Sequence, residues 1–120
     1  MLATLVTVIL DAFSGVSNPT WSLSDKDAAF LQDSVNRVVQ SQSVDAPKIP
    51  GLGYRGLVIQ GLDVQGKAVE VRIFRSWIIV GGRSDPRAFQ DKDNALELWL
   101  VDTGRAHVPP NRIPDVFPKK

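Results

Sequence analysis

Apolar and polar positions follow three patterns along this chain, and each predicts a different element. In Met1–Leu10, Leu5 lies between Thr4 and the Val6-Thr7-Val8 set, and the β-branched content with this alternation predicts a buried strand. From Ser24 onward the period changes. Ala28, Leu31, Val35, Val38 and Val39 recur at helical spacing, while Asp27, Asp33, Asn36, Arg37 and Gln40 fill the other positions. Ser24 is followed three residues later by Asp27, the arrangement of a capping box, and Asp25 and Asp27 suit the positive end of a helix dipole. Phe30 falls off the apolar stripe; it is expected to pack beneath the loop that carries Trp21, with a contact surface as the other reading.

The second half of the chain returns to strand patterning. Tyr54–Leu62, Ala68–Phe74 and Trp77–Val80 are rich in Val and Ile and are joined by short connections, as in an antiparallel meander. Val69, Val71 and Ile73 alternate with Glu70, Arg72 and Phe74, so one side of the sheet should face a core and the other should be mostly wet. Gly81-Gly82 ends the last run and residues 83–86 turn. A second helix is expected from Asp91 or Asp93, with Ala95, Leu96, Trp99 and Leu100 as its buried stripe and Gly104 as its stop. Four prolines between Arg105 and Lys120 exclude helix and central strand from the tail, where Val108, Ile113, Val116 and Phe117 are candidate anchors. The predicted fold is therefore α+β: a single domain over residues 1–104, ordered β-α-β-β-β-α, with an antiparallel sheet of about four strands, two helices on one face and a Pro-rich C-terminal tail over 105–120.

Composition narrows the function classes. A chain of 120 residues with 43% hydrophobic and 22% charged residues has the makeup of one ordinary globular domain. Fourteen basic against thirteen acidic side chains leave no global field to draw the chain onto a polyanion, which disfavours nucleic acid. The absence of Cys removes disulfides, thiolate nucleophiles and cysteine-ligated zinc. The apolar opening lacks a basic start, and Asp11 arrives after too few apolar residues for a membrane span. Reading that segment as a strand points to the cytoplasm, although a cysteine-free sequence does not itself fix the compartment.

Chemistry has few candidates. His107 is the sole histidine, and it lacks the partners that a catalytic triad or an imidazole-based metal site requires. Asp25 with Asp27, and Asp91 with Asp93, stand where helix starts favour negative charge. Asp91-Lys92-Asp93-Asn94 opens like a calcium loop, but Leu96 holds the sixth position and Asp102 the twelfth, where Gly and Glu are needed. The glycines of Gly51-Leu52-Gly53-Tyr54-Arg55-Gly56 match a phosphate-binding pattern in letters only, because they precede a strand. No cofactor or metal is implied.

Phe13–Ser24 packs turn residues, an aromatic ring and a helix cap into one connection. In one reading Trp21 and Phe13 seal the core, Asn18 bonds backbone in an Asx-type turn and Ser24 caps the helix. In the other, Ser14, Asn18, Thr20 and the Trp21 edge present donors and an aromatic face to a ligand, joined by Tyr54 and Arg55, a pair common on recognition surfaces. This segment resembles one in small uncharacterised bacterial proteins that carry Ser-Gly-x-x-Asn-Pro-x-Trp-x-Leu-Ser followed later by Gly-Tyr-Arg-Gly. The matching residues are Ser14-Gly15, Asn18-Pro19, Trp21, Leu23-Ser24 and Gly53-Tyr54-Arg55-Gly56, and Val16 stands where those proteins often have Arg. The resemblance implies the same fold and brings no activity.

The functional expectation is a non-enzymatic binding module for a small polar ligand, glycan or protein segment, with Ser14, Asn18, Thr20, Trp21, Tyr54 and Arg55 as its surface. The alternative is self-association into a homo-oligomer through a sheet edge at Trp77–Val80 or through the tail. A third reading, an enzyme for an anionic substrate, needs Arg72, Arg75, Arg83 and Arg87 to gather near Asp85.

Overall fold

The computed structural model describes residues 5–11, 18–49, 54–64, 66–81 and 86–107. The expected strands and helices are present, but the sheet has seven strands rather than about four. They are β1 (Thr7–Leu10), β2 (Thr20–Ser22), β3 (Val44–Asp45), β4 (Leu57–Val64), β5 (Lys67–Phe74), β6 (Trp77–Val80) and β7 (Arg87–Gln90), in the order β2-β1-β4-β5-β6-β7-β3 with every neighbouring pair antiparallel. The three strands missing from the sequence reading are two to four residues long, too short for an alternation to register.

Trp77–Val80 was the edge candidate for self-association. It lies instead in the sheet interior, hydrogen-bonded to β5 on one side and β7 on the other. The two edges are the three-residue β2 and the two-residue β3, and edges this short offer little backbone to a second chain.

Helix α1 (Asp25–Val38) leaves the β2 edge and returns the chain to the opposite edge at β3. Six inter-strand steps make the sheet roughly 29 Å wide. Fourteen helical residues rise about 21 Å, and residues 39–43 carry the chain the rest of the way to β3. Ser24 begins it as expected, its hydroxyl accepting from the Asp27 N–H at 3.2 Å. A contact with the sheet pins its middle. The Gln32 carboxamide donates to the Asp63 carbonyl at 2.6 Å and accepts from the Asp63 N–H at 3.0 Å, pairing with β4 as a strand would.

Register decides which residues meet on each face. Leu10, Leu57, Ile73, Ile78 and Phe89 form one cross-strand row, and Val8, Ile59, Val71 and Val80 form the next. Both rows are buried in a single core with Leu31 and Val35 of α1 and Leu96, Leu100 and Val101 of α2 (Ala95–Thr103), so the two helices cover the same face. The buried stripe of α2 is displaced from the expected one: Ala95 is exposed and Trp99 half-buried, while Glu97 and Val101 are inside. The cause is the start of the helix. Asp93 and Asn94 hold left-handed backbone in a short 3-10 turn, and the buried Asp91 reaches past them to accept from the Leu96 and Glu97 N–H groups at 2.9 and 3.0 Å.

The opposite face is less wet than its alternation suggests. Ile9, Val58, Arg72, Ile79, Ala88 and Val44 form one row across six strands, and Val58, Ile79 and Ala88 are buried in it.

Candidate functional site

The six residues proposed as one surface separate. Ser14 lies outside the described residues. Trp21 is core: it is 4% exposed, donates Nε1–H to Thr103 Oγ1 at 2.9 Å and stacks on His107 with ring centroids 6.4 Å apart. Its indole seals the end of the helix layer and presents no edge to a ligand. Tyr54 also belongs to the helix side, packed against the core with its hydroxyl donating to Glu97 Oε2 at 2.5 Å. Asn18, Thr20 and Arg55 remain, and they gather on the face away from the helices around a residue that sequence reasoning passed over, Asp11.

A single glycine decides which of Tyr54 and Arg55 faces the helices. Counting alternation back from the core residue Leu57 assigns Arg55 to the helix face. Gly56 has φ +101°, a conformation that glycine adopts without steric cost, and Arg55 and Gly56 together bond to the one residue Asp11. This bulge reverses the alternation. Arg55 turns to the open face and Tyr54 to the helices. A Cβ on Gly56 would also stand 2.6 Å from the Ile73 carbonyl oxygen, so the position is closed to other residues on two counts.

Asp11 ends β1 and binds both arginines. Arg55 donates to Asp11 Oδ1 from Nε at 3.1 Å and Nη2 at 2.7 Å, and Arg72 donates from Nη1 to Oδ2 at 2.9 Å. Arg72 Nη1 also donates to the Arg55 carbonyl at 2.7 Å, and Asn18 Nδ2 approaches Asp11 Oδ1 at 3.5 Å. Thr20 lies further out, its hydroxyl donating to the Asn18 carbonyl at 3.3 Å. Burial raises the Asp11 carboxyl, but the hydrogen bonds and charges of Arg72 and Arg55 outweigh it and hold the group below the usual carboxylate range. Two guanidinium charges against one carboxylate leave this cluster at net +1.

A cavity of about 440 Å³ opens beside the cluster, lined by Ile9, Val58 and Ile79 together with Asp11, Asn18, Gln60, Glu70 and Arg72. The lining follows from register. Ile9, Val58, Arg72 and Ile79 are the middle of the cross-strand row, and Glu70 lies two residues from Arg72 on the same face of β5. Among the described residues, the Arg72 Nε and Nη2 groups, the Gln60 carboxamide and the Glu70 carboxylate have no hydrogen-bond partner. None of them is a buried orphan, so they meet solvent.

Of the arginines named for an anionic substrate, the three that the structure describes are engaged separately. Arg72 serves Asp11, Arg75 lies over the Phe74 and Tyr54 rings, and Arg87 binds Asp45 at 3.0 Å and Ser43 at 3.1 Å near the β3 edge. Arg83 and Asp85 lie outside the described residues, as do Phe13 and the tail anchors from Val108 onward. Phe30 is likewise corrected. It is 53% exposed and meets Trp99, not the Trp21 loop, with ring centroids 4.8 Å apart, at the mouth of an apolar groove of about 410 Å³ between the helices.

On the helix side, burial raises the Glu97 carboxyl despite the opposing hydrogen bonds from Tyr54 and the Arg75 N–H, and burial with the Glu97 charge raises the Tyr54 hydroxyl. These groups hold α2 to the ends of the strands and do not open into the cavity. Among the described residues no helix is long and apolar enough to cross a membrane, and no three His, Cys, Asp or Glu side chains are grouped to hold a metal ion. No family model, curated protein or solved structure matches this chain.

Proposed function

We propose that this chain is a non-enzymatic binding module whose site is the cavity on the sheet face away from the helices, and that its ligand is a small polar molecule carrying an anionic group. One observation carries the reading: Arg72 lines the cavity and is fixed by Nη1 to Asp11 and to the Arg55 backbone, with Nε and Nη2 left without a partner among the described residues as a pair of cationic donors. Such an edge recognises planar anions in two parallel hydrogen bonds, and its orientation is set before a ligand arrives. Ile9, Val58 and Ile79 supply an apolar wall.

Amide and methyl NMR mapping against a library of small carboxylates, sugars and peptides tests the proposal. Shifts at Ile9, Asp11, Asn18, Val58, Arg72 and Ile79 are expected. Arg72→Met, which keeps the stem and removes the donors, should weaken a carboxylate hit about tenfold or more. Perturbations confined to the helix face, or undiminished binding to a folded Arg72→Met variant, would refute the site.

A further inference from the structure

The cavity has two charged ends. We infer that its ligand is a zwitterion of the amino-acid type with an apolar side chain: the carboxylate meets Arg72, the ammonium meets Glu70, and the side chain lies on Ile9, Val58 and Ile79. This inference rests on the binding reading above and narrows it.

The charge count comes first. The cavity lining holds Asp11, Glu70 and Arg72, and Arg55 sits behind Asp11 as its second cation, so among the described residues the charges balance and the site is dipolar along β5. A simple anion gains at one end and is repelled at the other. A phosphate dianion fares worse, with Asp11 and Glu70 both nearby. A dipolar ligand satisfies both ends without adding net charge. Spacing agrees with this, since residues two apart on a strand lie roughly 6.6 Å apart, and Arg72 is drawn toward Asp11 while Glu70 is tied to nothing. The gap between the charged ends is that of a small molecule, and a carboxylate and ammonium on one carbon reach both through the flexible Glu70 chain. Gln60, on the neighbouring strand, has a free carboxamide that can accept from the ammonium or donate to the carboxylate. The residues that flank Arg72 in the row, Val58 and Ile79, are aliphatic, which selects an apolar side chain over a charged one.

Three probes of one carbon skeleton separate the parts: L-leucine, isocaproate, which lacks the ammonium, and isoamylamine, which lacks the carboxylate. Titrated into the full chain by NMR, leucine is expected to bind about tenfold tighter than either analogue, with shifts at Ile9, Val58, Gln60, Glu70 and Ile79. Glu70 is exposed, so Glu70→Gln should leave the fold intact, and it should remove most of the preference for leucine over isocaproate. Isocaproate binding as tightly as leucine at these residues, or a leucine preference unchanged by Glu70→Gln, would overturn the dipolar inference and leave the anion site standing. Shifts at none of these residues with any of the three would overturn the dipolar inference alone, and silence there across the whole carboxylate library would overturn both.

Discussion

Replacing Gly104 with alanine tests whether Trp21 is structural. Gly104 ends α2 with φ −101°, an ordinary conformation for alanine, so the backbone carries no strain and the whole cost is steric. The added Cβ would fall closer than 3.0 Å to three atoms of the Trp21 six-membered ring, Cε2, Cζ2 and Cη2. The ring has little room to retreat, being buried, bonded to Thr103 and stacked on His107. Overpacking of this kind costs about 1–3 kcal/mol, and the loss of unfolded-chain entropy on replacing glycine returns about 0.5 kcal/mol. The expected net destabilisation is about 1–2 kcal/mol, a fall in Tm of roughly 3–10 °C for a domain of this size. Thermal melts followed by circular dichroism and Trp fluorescence measure it. Trp21→Phe should relieve the clash, so Gly104→Ala should cost about 1 kcal/mol less in that background than alone. A Gly104→Ala variant as stable as the parent, or equal costs in both backgrounds, would refute the sealing role and reopen the case for Trp21 as a ligand face.

Three further outcomes follow from the polar contacts. Asp11→Ala removes the carboxylate that two partly exposed guanidinium groups share and should cost about 1–3 kcal/mol in urea denaturation, with Asp11→Asn recovering part of it. Because the folded Asp11 carboxyl is held below its ordinary value, the parent's advantage over Asp11→Asn should be constant above pH ~4 and shrink as pH falls through the folded pKa. Glu97 has the opposite sign: its raised folded pKa favours the protonated folded state, so the stability of Glu97→Gln relative to the parent should rise as pH climbs from ~4 through that pKa and then level off. Gln32→Glu keeps an acceptor for the Asp63 N–H but sets an oxygen against the Asp63 carbonyl, and should cost about 1–2 kcal/mol, with lost hydrogen-exchange protection at Asp63.

Much of this architecture is legible in short windows of sequence. The helical stripe of α1, its Ser24 cap and the meander from β4 through β6 follow from periods of a few residues, because the period reports which side of an element is buried. The short strands β2, β3 and β7 carry no such period. Their pairing comes from neighbours that the local sequence does not name. Asp11 illustrates the same limit at the site. In sequence it is the charge that ends an apolar run, and Arg72 is one polar position on the open side of a strand. They lie 61 residues apart, and only the register of β1 on β4 and of β4 on β5 brings them together. The available signal was a pair of opposite charges on strands that share a face, and using it requires the strand order.

Local patterning by itself determined where the chain is strand and where it is helix, which side of α1 is buried, and that one antiparallel layer carries the helices. Those properties depend on the identities of near neighbours. The tertiary structure decided what lies opposite what: β3 at the far edge, Trp77–Val80 in the interior, Trp21 under α2, and the reversal at Gly56 that turns Arg55 away from the helices and Tyr54 toward them. Each of these depends on long-range hydrogen bonding or on one backbone angle, and a side chain's chemistry becomes a site only after such contacts fix which groups it meets.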